Sequence, residues 1–92
     1  MPLTQFRTQE SSVHRALRAI ICEDLGEAKV ADMHFLSDTD HYDDPIMRIT
    51  ITIAHGHNRP PARTINSLTT RLKHALFDYG DNRYPVLSID TA

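Results

Sequence analysis

The sequence predicts an α+β domain in which two helices pack on one face of a three-stranded sheet, in the order αββαβ. Three observations predict it. Residues 46–54 alternate, with Met47, Ile49, Ile51 and Ile53 on one side and Arg48, Thr50 and Thr52 on the other. That is the period of a strand with one buried and one wet face. Pro60 and Pro61 then open a segment whose apolar residues Ile65, Leu68, Leu72, Ala75, Leu76 and Tyr79 share one helical stripe, and Gly80 closes it. A short apolar run from Tyr84 to Ile89 follows, and it supplies the third strand.

The remaining elements follow in chain order. Residues 1–10 are polar and read as a flexible lead, and residues 11–92 as one domain. Ser11 or Ser12 can cap a helix. Val13, Ala16, Leu17, Ile20 and Ile21 then recur at helical spacing up to Gly26, which predicts a helix over 12–25. Residues 28–36 form a strand of weak alternation, with Ala31, Met33 and Phe35 on one face and Val30, Asp32 and His34 on the other. Residues 37–45, dense in Asp, Ser and Thr, form the turn of a hairpin. Pro85 suits the start or the edge of the last strand, because it lacks a ladder donor. A right-handed crossover makes that strand parallel to the second one, either beside it or beyond the first. The helices then bury Met47, Ile49, Ile51 and Ile53 against Leu17, Ile20, Leu68 and Leu72.

Composition narrows the functional classes. The chain has 92 residues and a formal net charge of -2, which is not the basic balance of a dedicated nucleic-acid binder. Charge is unevenly placed. Residues 1–44 hold four basic and nine acidic side chains, and residues 45–92 hold six and three. Such a split is read either as a signal of a partner or self-association or as acidic loops and basic helix faces that diverge by chance. With one cysteine, Cys22, no internal disulfide can form, which suits a reducing compartment. There is no apolar leader and no run of the ~20 apolar residues a membrane span needs. A soluble cytoplasmic protein is expected, with no membrane association and no DNA-binding signature.

The ending Arg83-Tyr84-Pro85-Val86-Leu87-Ser88-Ile89-Asp90 is similar to the Arg-x-Pro-x-Leu strand that closes ribosome-binding factor A. The order of elements also resembles the type II KH-like arrangement of that family. The resemblance implies a KH-like fold and contact with ribosomal RNA. Arg59, Arg63, Arg71, Lys73 and Arg83 would supply the basic contacts.

Catalytic and metal chemistry find little support in the residues. Asp38, Asp40, His41, Asp43 and Asp44 are the densest set of metal-capable groups. A calcium loop starting at Asp38 would need Gly at its sixth position and Glu at its twelfth, where the chain has Asp43 and Ile49. Those residues also favour turns by bonding their own backbone. His55 and His57 could share a metal, but zinc needs two further ligands. Cys22 is placed roughly opposite the apolar face of the first helix, and His41 at the far end of the strand from His55. Glu23 and Asp24 beside Cys22 disfavour a reactive thiolate. No serine sits in a nucleophile elbow and no glycine-rich loop cradles phosphate. The expectation is no enzyme, no cofactor and no metal.

The outer face of the second helix carries Arg63, Asn66, Thr70, Lys73, His74 and Phe77, away from the core stripe. One reading folds Phe77 over the turn between Tyr79 and Tyr84 as a satellite of the core. Another makes the face a protein interface, since aromatics and Arg are enriched there. A third makes it an RNA contact. The functional expectation is a small non-catalytic binding module acting through a protein partner or a homodimer. The alternative is a KH-like, ribosome-associated RNA-binding factor.

Overall fold

The computed structural model describes the backbone of residues 2–92 and the side chains from Ser12 onward. Helix α1 spans Pro2–Leu25 and a 3-10 turn covers Glu27–Lys29. Strands β1 (Val30–Thr39) and β2 (Pro45–Ile53), helix α2 (Ala62–Asp78) and strand β3 (Tyr84–Thr91) follow. The fold is α+β with the order αββαβ. β2 is the central strand, paired antiparallel with β1 and parallel with β3. The last strand therefore lies beside the second, with α2 as the crossover that a parallel pair requires. Helix α1 begins at Pro2 rather than at the serine cap. The flexible lead proposed for residues 1–10 falls on side chains outside the described ones.

Both helices pack on one sheet face. Val13, Leu17, Ile21 and Leu25 of α1 join Leu68, Leu72 and Leu76 of α2 over Met33, Met47, Ile49, Ile51, Ile53 and Ile89. Fully burying one such side chain stabilises the fold by about 1.5–3 kcal/mol. Ile20, expected in this core, is only partly buried against it. The α1 core residues recur strictly every fourth position, so the buried stripe drifts around the helix towards its C-terminus.

β1 departs from simple alternation at one place. Val30 pairs with Ile53 while Asp32 pairs with the next residue, Thr52. Ala31 is thus the extra residue of a bulge. The bulge turns Val30 onto the core side with Met33 and Phe35 and leaves Ala31 exposed, reversing the faces expected for these two residues.

Both sheet edges are guarded. Asp40 N–H donates to Asp44 C=O (3.0 Å) to close the hairpin. From Asp32 onward, past the bulge, even-numbered residues of β1 therefore turn their backbone towards β2 and odd-numbered ones turn outward. Two of the outward N–H groups, of Met33 and Thr39, donate to the carboxylates of Asp32 (2.9 Å) and Asp38 (2.8 Å). On β3, Ala92 N–H donates to Ile53 C=O, so odd-numbered residues face outward there. Pro85 is one of these and has no N–H to leave unpaired. The carbonyl of Ile89 accepts from Arg59 Nη1 (3.3 Å). Charged side chains and proline on edge strands disfavour pairing with another chain.

Candidate interaction surface

The six residues singled out on α2 are all exposed: Arg63, Asn66, Thr70, Lys73, His74 and Phe77. At about 100° per residue they lie opposite the line of Leu68, Leu72 and Leu76. Phe77 does not fold over the following turn as a satellite of the core, because it remains 79% exposed. The reason is its place on the helix, on the side turned away from the sheet. Lys73 instead reaches towards β3, and its Nζ sits 5.3 Å from the centre of the Tyr84 ring.

The topology gathers the exposed apolar groups at one end. β2 starts where the hairpin ends, and Tyr84 opens β3 opposite Ile46. Helix α2 runs back antiparallel to both strands, so its C-terminus arrives at the same end. The large hydrophobic residues exposed among those described are Leu36, Tyr42, Phe77, Tyr79 and Tyr84. All five belong to this half: Leu36 lies near the end of β1, Tyr42 at the hairpin tip, and the others around the α2–β3 turn. On the open sheet face, which Leu36 and Tyr84 share and Phe77 does not, Ile46 is buried between Asp38 and Tyr84 in the pairing register. Sequence reading identified only Phe77 in this set and counted Tyr79 with the core stripe, which it leaves as the residue that ends the helix, 49% exposed. The others emerge once α2 is known to return to the hairpin end.

Local structure holds these side chains in place. Gly80, at φ 73°, is the left-handed residue of a Schellman ending. Its N–H donates to Phe77 C=O (2.9 Å), and Asp81 N–H donates to Leu76 C=O (2.9 Å). Asp81 then accepts the backbone N–H of Arg83 (3.0 Å) and its Nε (2.9 Å). These side chains are only 13% and 12% exposed. The Arg83 hydrogen bonds hold the Asp81 carboxyl below its usual range, against the opposing effect of burial. At the hairpin, Asp40 Oδ1 accepts from the N–H of Tyr42 (2.8 Å) and of Asp44 (3.0 Å). Asp43 takes φ 64°, a conformation Asp tolerates better than most residues. Tyr42, 75% exposed, sits at the tip of this tied turn with His41 beside it at a ring separation of 4.3 Å.

Most of the basic side chains named for RNA contact are engaged within the fold. Arg59 bonds the β3 edge, and Arg71 bridges to Asp24 and Glu23 of α1. Arg83 holds Asp81, and Lys73 caps Tyr84. Arg63 has no ion pair among the described residues.

The candidate chemical groups are dispersed. Asp38 accepts from Arg48 Nε (2.8 Å) and Thr39 N–H, and the Arg48 hydrogen bond lowers its carboxyl below the ordinary value. Asp40 is used by the turn. His55 and His57 lie exposed on a loop. Among the described residues, no three or more His, Cys, Asp or Glu side chains converge as ligands would. Cys22 is not opposite the core. The drift of the α1 stripe brings it to the core's margin, partly buried. There it lines an open groove of about 450 Å³ with Arg18, Glu27, Val30, Ala31 and Met33. No described helix is long and apolar enough to cross a membrane.

No family model, curated protein or solved structure matches this chain.

Proposed function

We propose that the protein is a small non-catalytic binding module that works through a protein partner or a second copy of itself, using the aromatic end formed by Tyr42, Phe77, Tyr79 and Tyr84. One observation carries this reading. Five large hydrophobic side chains stay exposed in one half of the molecule, two of them on backbone tied by hydrogen-bonded turns. Aromatic anchors on preorganised backbone suit an interface, because little conformational entropy remains to be lost on binding. The outer face of α2, with Arg63, Asn66, Thr70, Lys73 and His74, forms the polar rim.

The KH-like, ribosome-associated reading draws on the αββαβ order and the Arg83-to-Asp90 ending. Two features weigh against it. The chain lacks the Gly-x-x-Gly clamp of RNA-binding KH domains. Three of the five basic side chains it would use, Arg59, Arg71 and Arg83, are hydrogen-bonded or ion-paired within the fold.

Affinity capture from source lysate at low salt tests the choice. Wild type and Phe77→Asp would be compared, with and without ribonuclease. A stoichiometric protein recovered by wild type, insensitive to ribonuclease and lost with Phe77→Asp, supports the module reading. Recovery that disappears with ribonuclease moves the weight to RNA. Recovery unaffected by Phe77→Asp removes the aromatic end from the account.

A further inference from the structure

The groove beside Cys22 lies at the start of β1, the far end of that strand from the hairpin and its aromatic side chains. Arg18 and Cys22 stand one turn apart on its α1 wall. Val30, Ala31 and Met33 of β1 supply apolar lining, and Glu27 of the 3-10 turn stands past the end of α1. The bulge shapes this lining, because it exposes Ala31 and leaves Val30 packed against the core. A volume of about 450 Å³ falls within the range of small-molecule sites, which combine apolar walls with a few placed polar groups.

Two opposite charges line this space without meeting. Arg18 and Glu27 are both exposed, and neither has an ion pair among the described residues. Their charged atoms therefore stand farther apart than the ~4 Å of ion-pair contact. The other acidic groups nearby are already engaged. Asp32 accepts the Met33 N–H and pairs with His34, at 2.9 Å in each case, and Glu23 and Asp24 hold Arg71. The Arg18 guanidinium lies 5.4 Å from the centre of the Phe35 ring, which is itself stacked on His14. A ring contact of this kind steadies the cation without consuming its N–H donors.

We infer that the groove takes a small zwitterion with an apolar body, of amino-acid or dipeptide size. Its carboxylate meets the Arg18 guanidinium, a planar donor fork suited to that group. Its ammonium group meets Glu27, and its apolar side chain covers Val30, Ala31 and Met33. A ligand carrying both charges completes the two that the fold leaves apart, whereas a simple anion or cation leaves one of them unanswered. This site goes beyond the binding-module reading and does not depend on it.

Isothermal titration calorimetry of the full chain at low salt tests the site, with leucine and leucyl-leucine as probes beside their N-acetylated and C-amidated forms. Wild type is expected to bind at least one free zwitterion with a Kd of about 1 mM or below. Each blocked form should bind about tenfold more weakly or worse, the loss of one charge-assisted hydrogen bond. Arg18→Gln should no longer distinguish the free from the amidated form, and Glu27→Gln the free from the acetylated one. Far-UV circular dichroism establishes that both variants are folded. Cys22 is the only cysteine of the chain, so its reaction with an aromatic disulfide reagent reports on the groove. Bound zwitterion should slow that reaction in wild type.

No binding of either free probe at about 10 mM overturns the inference. So does binding that leaves the Cys22 reaction unchanged, since the probe then sits elsewhere. Folded variants that discriminate against the blocked forms as wild type does overturn it as well. A preference for leucine or for leucyl-leucine supports the site and sizes its ligand. None of these outcomes bears on Phe77 or on the partner-binding end.

Discussion

The Asp81 carboxylate accepts both the backbone N–H and the guanidinium of Arg83, and this pair stitches the end of α2 to the start of β3. It lies directly between the helix ending that presents Phe77 and the strand start that presents Tyr84. A disturbance here therefore reaches the binding surface as well as the fold.

The pair makes stability depend on acid. The native carboxyl of Asp81 titrates lower than in the unfolded chain, chiefly through the Arg83 hydrogen bond. Its contribution is complete above the ordinary carboxylate value near ~4 and is lost as pH falls through the lowered native one. Asp81→Asn should cost about 1–2 kcal/mol at neutral pH, because a charge-assisted bond is replaced by a neutral one. Urea denaturation at pH 7 and pH 3 is the check. The deficit of the variant should shrink at the lower pH.

Gly80 offers a backbone prediction without a packing component. No atom beyond its two chain neighbours lies within 4 Å of where a Cβ would stand. The cost of Gly80→Ala is then the left-handed conformation itself, about 1–2 kcal/mol. Gly80→Asn should cost less, since Asn visits that region more readily. Thermal denaturation of the three proteins orders them.

Phe77→Ser should leave stability within about 0.5 kcal/mol of wild type, as expected of a solvent-facing position. Leu72→Ala, on the buried side of the same helix, should cost about 2–5 kcal/mol. Chemical denaturation separates the two. A large loss at Phe77 that persists on dilution would mean that the side chain packs within the fold, whereas one that vanishes on dilution would mean that it is buried between copies.

The edge carboxylates should matter most for solubility. Replacing Asp32 and Asp38 together with Ala frees the outward N–H groups of Met33 and Thr39 and removes two charges from β1. Light scattering on incubation at raised concentration should show faster aggregation than wild type. The same substitution at Asp78, away from either edge, should not.

Much of this fold can be read from residue order alone. β2 alternates so regularly that its buried and wet faces follow, and the two prolines and Gly80 mark the limits of α2, whereas the place of β3 beside β2 rather than beyond β1 is decided only by the strand pairing. Val30 and Ala31 could not be assigned to faces, since a bulge consumes one residue and inverts a weak alternation of small side chains. Cys22 was misplaced because a helical wheel assumes a straight stripe, whereas the α1 core residues repeat every fourth position and drift. Phe77 was identified as unusual, but Leu36, Tyr42 and Tyr84 gain meaning only in three dimensions. Each is unremarkable in its own segment. They matter together because the crossover returns α2 to the hairpin end.

The parallel pairing of β3 with β2 has a consequence for biosynthesis. A nascent chain emerges with α1, β1, β2 and α2 in hand while one flank of the central strand is still bare. Ile49 and Ile51 gain their second neighbours, Leu87 and Ile89, only after β3 has left the exit tunnel. Completion of the core is thus a late, non-local event that follows translation of the whole crossover. Until that moment the unpaired side of β2 carries none of the proline or arginine protection found on the finished edge. Stalled or truncated chains are the form of this protein most in need of a chaperone.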